Sequence, residues 1–101
     1  MLVFNLNSGI NDLLLDEIIK LAEYNDIGKV VLFGSRARGD YKNVSDIDIA
    51  VTGGDVISFS IDVEEKTNTL LKFDVVNLDG AVQKELLESI NREGVVVYEK
   101  I

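Results

Sequence analysis

The sequence contains no cysteine, no histidine, no proline and no tryptophan. Without cysteine the chain cannot form disulfide bonds, and without either cysteine or histidine it cannot build a zinc site of the usual type. No imidazole is available as a general base, so acid–base chemistry falls to carboxylates, lysine or tyrosine. Tracts rich in proline or serine are absent and 47% of the residues are hydrophobic, which predicts a chain that is folded throughout.

Positive charge is also scarce, with ten basic against eighteen acidic residues and a formal net charge of -8. Long nucleic acid and anionic membranes are therefore not expected as partners, because both are bound through basic side chains. No apolar run approaches the ~20 residues that span a bilayer, and the first nine residues are too short and polar for a signal peptide, which predicts a cytoplasmic protein. The 101 residues predict a single domain over residues 1–101.

Hydrophobic patterns predict alternating helices and strands, and hence an α/β (α+β) fold with a sheet covered by helices. Helices are expected from Ser8 or Asn11 to about Tyr24, at 58–71 and at 81–92; strands are expected at 29–33, 45–51, 72–78 and 95–98. The segment 58–71 is ambiguous, because its apolar residues alternate in a way that also fits a strand: Ile57, Phe59, Ile61 and Val63.

The stretch GSRARGDYKNVSDIDIAV, from Gly34 to Val51, carries the candidate chemistry. Asp46 and Asp48 are two positions apart on a strand, so their Cα atoms are roughly 6.5 to 7 Å apart and both side chains leave on one face. Two such carboxylates repel each other and resist burial, which indicates a cation between them. Mg²⁺ is a suitable ion, since it commonly takes one or two protein carboxylates together with substrate phosphates.

The preceding Gly34-Ser35 suits the phosphate half of such a site, because glycine lets the backbone approach a phosphate and serine offers a hydroxyl. Taken alone, the pair Asp46 and Asp48 could be charges at a solvated strand end, and Gly34-Ser35 with the arginines that follow could be a solvated turn. Their order along the chain favours function, since packing does not require it. A Walker A loop, a G-x-G-x-x-G motif and an EF-hand pattern are all absent.

Gly34-Ser35, the arginines Arg36 and Arg38, and Ser45-Asp46-x-Asp48 resemble the signature of the minimal nucleotidyltransferases. These proteins, the MNT-type antitoxins among them, are the shortest group of the DNA polymerase beta-like nucleotidyltransferase superfamily. The resemblance covers essentially the whole chain. It implies a mixed sheet of about four strands, predominantly antiparallel at its edges and flanked by helices.

The resemblance also implies a third carboxylate on a later strand, which Asp74 in KFDVVNL matches. By the same resemblance, Asp46, Asp48 and Asp74 are catalytic and bind metal, with two Mg²⁺ ions and ATP as the substrate. The expected nucleotide-binding residues are Gly34, Ser35, Arg36 and Ser45. Either Arg36 or Arg38 is expected to clamp phosphate, while one of them could instead tie the turn to an acid such as Asp40.

The implied activity is transfer of AMP from ATP to a hydroxyl, on a tyrosine of a helical HEPN-type toxin that forms an assembly with this protein. Such a chain would act as an antitoxin. Two alternatives stay open: an antitoxin that neutralises its partner by contact alone, and transfer to a small molecule. The second is the activity of the related aminoglycoside-modifying enzymes, which usually carry an additional helical domain.

Overall fold

The computed structural model describes residues 8–101, in which helices and strands alternate as the sequence predicts. In chain order the elements are α1 Asp12–Tyr24, β1 Lys29–Phe33, α2 Ser35–Arg38, β2 Ile47–Thr52, α3 Val56–Lys66, β3 Phe73–Asn77, α4 Lys84–Glu93 and β4 Val95–Glu99. The α/β class is therefore confirmed. No helix within this part of the chain is both long and apolar enough to cross a membrane.

The four strands form one sheet in the order β3-β2-β1-β4. Strand β1 is antiparallel to both β2 and β4, whereas β2 and β3 are parallel. A parallel pair needs a crossover connection, which α3 supplies. This topology confirms the expected mixed sheet of four strands.

The two faces of the sheet pack against different helices. Ile47, Ile49 and Val51 of β2 belong to the larger core, which also contains buried residues of α1 and α3. Ala50 lies in a second, smaller core with Ile90 of α4. Since alternate residues of a strand point to opposite faces, Asp48 lies on the α4 face with Ala50.

Helix α1 follows the predicted pattern closely. Asn11 is its N-cap and accepts a hydrogen bond from the Leu14 N–H at 2.8 Å, satisfying one of the free donors of the first turn. The buried positions Leu14, Ile18 and Ala22 recur at helical spacing against the sheet. The helix consequently begins at the second of the two predicted caps.

The crossover segment is a helix, and the alternative of a strand is wrong. Asp55 caps it by accepting the Ser58 N–H at 3.1 Å. Phe59 and Val63 are buried, whereas Ile57 and Ile61 are 73% and 52% exposed. The alternation in the sequence arises because Phe59 and Val63 lie on the buried face of the helix, whereas the apolar Ile57 and Ile61 lie on its exposed face.

Four predicted boundaries also differ by two residues or more. Helix α3 spans Val56–Lys66 instead of residues 58–71, and α4 begins at Lys84 instead of residue 81. Strand β2 begins at Ile47, two residues later than predicted, because the Ser45 N–H donates to the Lys42 carbonyl in a turn at 3.0 Å. The ladder can begin only after that turn.

Candidate functional site

Gly34 joins the end of β1 to the short helix α2, directly beside Asp48. Phe33, the last residue of β1, is the register partner of Asp48. Gly34 has φ 76 and ψ -157, a backbone conformation that is essentially restricted to glycine. A Cβ at this position would collide with the Asp48 carboxylate. The absence of a side chain at Gly34 therefore creates a close approach between backbone and carboxylate.

The three predicted carboxylates lie at one end of the sheet. Asp48 and Asp74 are register partners in the parallel pair β2 and β3, so both side chains face α4. Asp46 precedes β2 by one residue and is exposed. Burial raises the pKa of the half-buried Asp48, the negative charges of Asp74 and Asp46 raise it further, and Arg38 opposes the shift. The structure thus brings the three into electrostatic contact.

Mg²⁺ fits the oxygen donors present at this end of the sheet. Within residues 8–101 the carboxylates do not close into a ready-made group of three ligands. Mg²⁺ does not require one, because it keeps several waters and takes oxygens from substrate phosphates beside one or two carboxylates. Asp48 is held where burial and neighbouring negative charge disfavour its ionised form, which a cation would offset.

Arg36 is buried and bonded to the backbone of its own chain. Its side chain donates from Nε and Nη2 to the Ser45 carbonyl at 3.1 and 2.9 Å, and from Nη1 to the Ser8 carbonyl at 2.8 Å. The guanidinium also lies 4.8 Å from the centre of the Tyr41 ring. These contacts tie α2 to two flanking segments, so they favour a structural role for Arg36 over the expected phosphate clamp.

Ser45 takes part in the same structural unit. Its Oγ accepts the Lys42 N–H at 2.8 Å, and its carbonyl accepts Arg36. Both contacts shape the turn that precedes Asp46. The expected nucleotide contact of Ser45 stays a prediction.

Arg38 pairs with two acids. Its Nε is 3.2 Å from Asp40, which confirms that one arginine ties the turn to this residue. Its Nη1 is 3.0 Å from Glu93 at the end of α4. The second contact was not predicted, because no sequence pattern links positions that far apart. Together they hold α2 against α4 at the edge of the carboxylate cluster.

The close approach at Gly34 leads to a prediction about alanine substitution. Gly34→Ala should lower the free energy of unfolding by ~3 kcal/mol or more, since it combines a backbone conformation costing about 1–3 kcal/mol with a collision against Asp48. Gly39→Ala is the matched control, because Gly39 has φ 94 but open space where the added methyl group would lie. We expect it to cost only ~1–2 kcal/mol. Urea denaturation measures both, and equal losses would contradict the close approach.

The chain is similar to known proteins over most of its length. Residues 16–101 match the family described as polymerase beta, nucleotidyltransferase. A protein of Methanocaldococcus jannaschii named "putative protein adenylyltransferase" is 44% identical over 61 residues. That match spans 60% of this chain and 58% of the relative's own length.

Two crystal structures share the fold. One, described as the toxin-antitoxin with AMP-PNP, is 26% identical with a TM-score of 0.69, over 85% of this chain and 73% of the other. The second, a "putative nucleotidyltransferase from Sulfolobus solfataricus", is also 26% identical, with a TM-score of 0.55 over 92% and 85% of the two chains. Because the family match runs from α1 to the last residue and includes Gly34, Asp46, Asp48 and Asp74, this chain belongs to the polymerase beta nucleotidyltransferase family.

Proposed function

We propose that this protein is a nucleotidyltransferase that moves AMP from ATP to a protein hydroxyl, a tyrosine of a helical HEPN-type toxin, and thereby acts as an antitoxin. The observation that carries the proposal is the convergence of Asp46, Asp48 and Asp74 beside the close backbone approach at Gly34. Two comparisons support it. The relative from Methanocaldococcus jannaschii is named "putative protein adenylyltransferase", and a structural neighbour is described as the toxin-antitoxin with AMP-PNP.

The carboxylates of Asp46, Asp48 and Asp74 would hold Mg²⁺, as one or two ions. Bound there, Mg²⁺ would neutralise phosphate charge and make the acceptor hydroxyl easier to deprotonate. Asp48 lies between the other two, as the register partner of Asp74 and two residues from Asp46. This position suits a carboxylate that binds metal together with Asp46 on one side and Asp74 on the other.

Gly34 and Ser35 would bind the nucleotide, and Asp74 would bind the acceptor. Gly34 allows the triphosphate to approach the backbone beside Asp48, and the Ser35 hydroxyl can donate to it. Asp74 is exposed on the far side of Asp48 from β1, where it can orient the acceptor hydroxyl and receive its proton. The acceptor oxygen then bonds to the α-phosphorus, the bond from that phosphorus towards the β-phosphate breaks, and pyrophosphate leaves.

A protein acceptor suits the shape of the site. Small-molecule pockets bury 70–90% or more of a ligand's surface. Asp46 and Asp74 are both exposed, so the carboxylates stand on an open end of the sheet. A partner's surface could close that end. Because this protein has a net charge of -8, a partner with basic residues around its hydroxyl would be attracted to it.

Nucleotide binding should require a divalent ion. We expect ATP to bind more tightly than AMP in Mg²⁺, and at least ~10-fold more weakly in chelator, because the -8 chain repels an uncompensated triphosphate. Isothermal titration calorimetry with ATP and AMP measures both differences. Equal ATP affinities in Mg²⁺ and in chelator would contradict the proposed metal and phosphate site.

Transfer to the partner should depend on Asp74. Co-purification with the HEPN-type toxin, followed by intact mass, should show one AMP increment on the toxin with wild type and ATP. Asp74→Asn should still bind the toxin but leave its mass unchanged. Asp40→Asn, an exposed acid outside the cluster, is the matched control and should retain transfer. Silencing of the toxin by Asp74→Asn without any mass change would establish an antitoxin that acts by contact alone.

A further inference from the structure

Strand β3 forms one edge of the sheet and presents part of its backbone outward. Its pairing with β2 is defined at both ends: Ile47 N–H donates to the Lys72 carbonyl at 2.9 Å, and Leu78 N–H donates to the Val51 carbonyl at 2.8 Å. Even-numbered residues of β3 therefore bond to β2. The N–H and C=O groups of the odd-numbered residues, among them Val75, point away from the sheet.

The chain itself closes both ends of this edge. Glu64 of α3 accepts the Phe73 N–H at 2.7 Å. The Asn77 carbonyl accepts the Gly80 N–H at 3.2 Å. Between these contacts, residues 8–101 provide no hydrogen-bond partner for the Phe73 carbonyl or for the N–H and carbonyl of Val75. The open part of the edge therefore lies immediately beside Asp74.

We propose that the acceptor protein docks by adding an extended segment, outside its helices, to this edge, antiparallel to β3, with its hydroxyl-bearing residue opposite Asp74. The inference rests on the proposed nucleotidyl transfer and assigns the way in which the acceptor binds. An exposed edge is a template for strand addition, in which main-chain hydrogen bonds supply affinity. The segment would exchange two hydrogen bonds with Val75 and donate a third to the Phe73 carbonyl.

Strand geometry then positions the acceptor. The residue opposite Val75 forms a hydrogen-bonded pair, so its neighbour opposite Asp74 forms a non-hydrogen-bonded pair with a Cα separation of about 4.5 Å. Side chains of directly opposite residues share a face. The acceptor side chain would lie on the α4 face with Asp48 and Asp74, where its oxygen can reach the α-phosphorus and its proton can pass to Asp74.

Charge favours a segment of another protein over a second copy of this chain at this edge. Glu64 caps its start, and Asp74 lies beside the open groups. A second copy of this chain would bring another edge with Glu64 and Asp74, on a chain that also has a net charge of -8, and repulsion between like charges opposes that pairing. A segment of another protein with basic residues flanking a β-branched stretch complements these acids.

A designed peptide tests the docking directly. The probe is the amide RVYVK, offered with ATP and Mg²⁺, and the readout is the mass of AMP-peptide. With its tyrosine opposite Asp74, both valine N–H groups face β3, whereas the tyrosine and lysine N–H groups face away. N-methylation of both valines should reduce transfer roughly 30-fold, the effect of about two net hydrogen bonds. N-methylation of the tyrosine and lysine should change it by less than about threefold.

Two variants test the same contact from the protein side. Val75→Pro removes the outward N–H without removing a bond to β2, and proline is tolerated on edge strands. We expect it to lower transfer to RVYVK about fivefold or more while the affinity for ATP in Mg²⁺ stays unchanged. Val75→Ala keeps the N–H and should retain transfer.

The outcomes separate docking from catalysis. Equal labelling of the two N-methylated peptides, or no labelling of any peptide while ATP binds in Mg²⁺, overturns the docking and leaves the nucleotide site intact. If the wild-type protein shows no Mg²⁺-dependent binding of ATP, both the docking and the proposed function are overturned. A dimer in light scattering that Val75→Pro dissociates assigns the edge to a second copy, which also overturns the docking.

Discussion

Replacing Asp46 and Asp48 together with asparagine should reduce AMP transfer at least ~100-fold, because metal stabilisation of a transition state is worth several kcal/mol and each ~1.4 kcal/mol is tenfold in rate. Asparagine keeps the size of the side chain and removes the charge that would hold Mg²⁺. Label from α-labelled ATP measures the loss. Asp40→Asn is the control and should retain activity.

The same double substitution should not lower the thermal stability. The folded-state pKa of Asp48 is raised by burial and by the charges of Asp74 and Asp46, so its ionised form destabilises the fold above that pKa. Near neutral pH the variant should therefore melt at the same temperature as the wild type or higher. The gain should vanish as the pH falls through the folded-state pKa, where the wild type is protonated as well. Unchanged labelling, or a lower Tm at neutral pH, would contradict the assignment.

Arg36→Met should cause a large loss of stability. It removes the donors to the Ser8 and Ser45 carbonyls from a site where Arg36 is only 1% exposed. Each buried group left unsatisfied costs about 1–3 kcal/mol. For a domain of this size 1 kcal/mol corresponds to roughly 4–8 °C in Tm, so a fall of ~10 °C or more is expected.

Arg38→Met is the matched control for that experiment. It breaks the contacts to Asp40 and Glu93 but leaves no buried carbonyl unpaired, since Arg38 is exposed. The pair with Asp40 is exposed and contributes little to stability, and the Glu93 carboxylate, 19% exposed, keeps Arg92 at 4.0 Å, so Tm should fall much less than in Arg36→Met. Differential scanning calorimetry measures the Tm of both variants. Equal shifts would mean that the buried guanidinium does not hold the turn before Asp46.

Patterns within single elements made much of the fold predictable from the sequence. Strand β1 has its predicted bounds, and α1 begins directly after a predicted cap, because apolar spacing and capping chemistry act over a few residues. Asp48 could be placed near the start of β2 for the same reason, whereas Asp46, predicted on the same strand, lies one residue before it. In contrast, Asp74 came from the family resemblance alone, since no local spacing relates it to Asp48.

The parts that could not be predicted depend on the backbone or on distant contacts. Arg36 binds carbonyl groups, which every residue possesses, so the sequence carries no specific signal for its partners. The contact between Arg38 and Glu93 spans two elements, and the outward groups of Val75 follow from sheet order. Each of these features becomes visible only when the strands are assembled.

The parallel pairing of β2 with β3 also fixes the order in which the two halves of the cluster can form. Gly34 and Asp48 meet within the antiparallel β1–β2 pair, whereas Asp74 reaches Asp48 only after the chain has crossed over through α3. Non-local parallel pairing forms slowly, because the connecting segment must close first. During synthesis, a chain that has not yet added β3 can bring Gly34 and Asp48 together but lacks Asp74 beside them. On the proposed function, such a chain would have no carboxylate to receive the proton of the acceptor, so transfer would require β3.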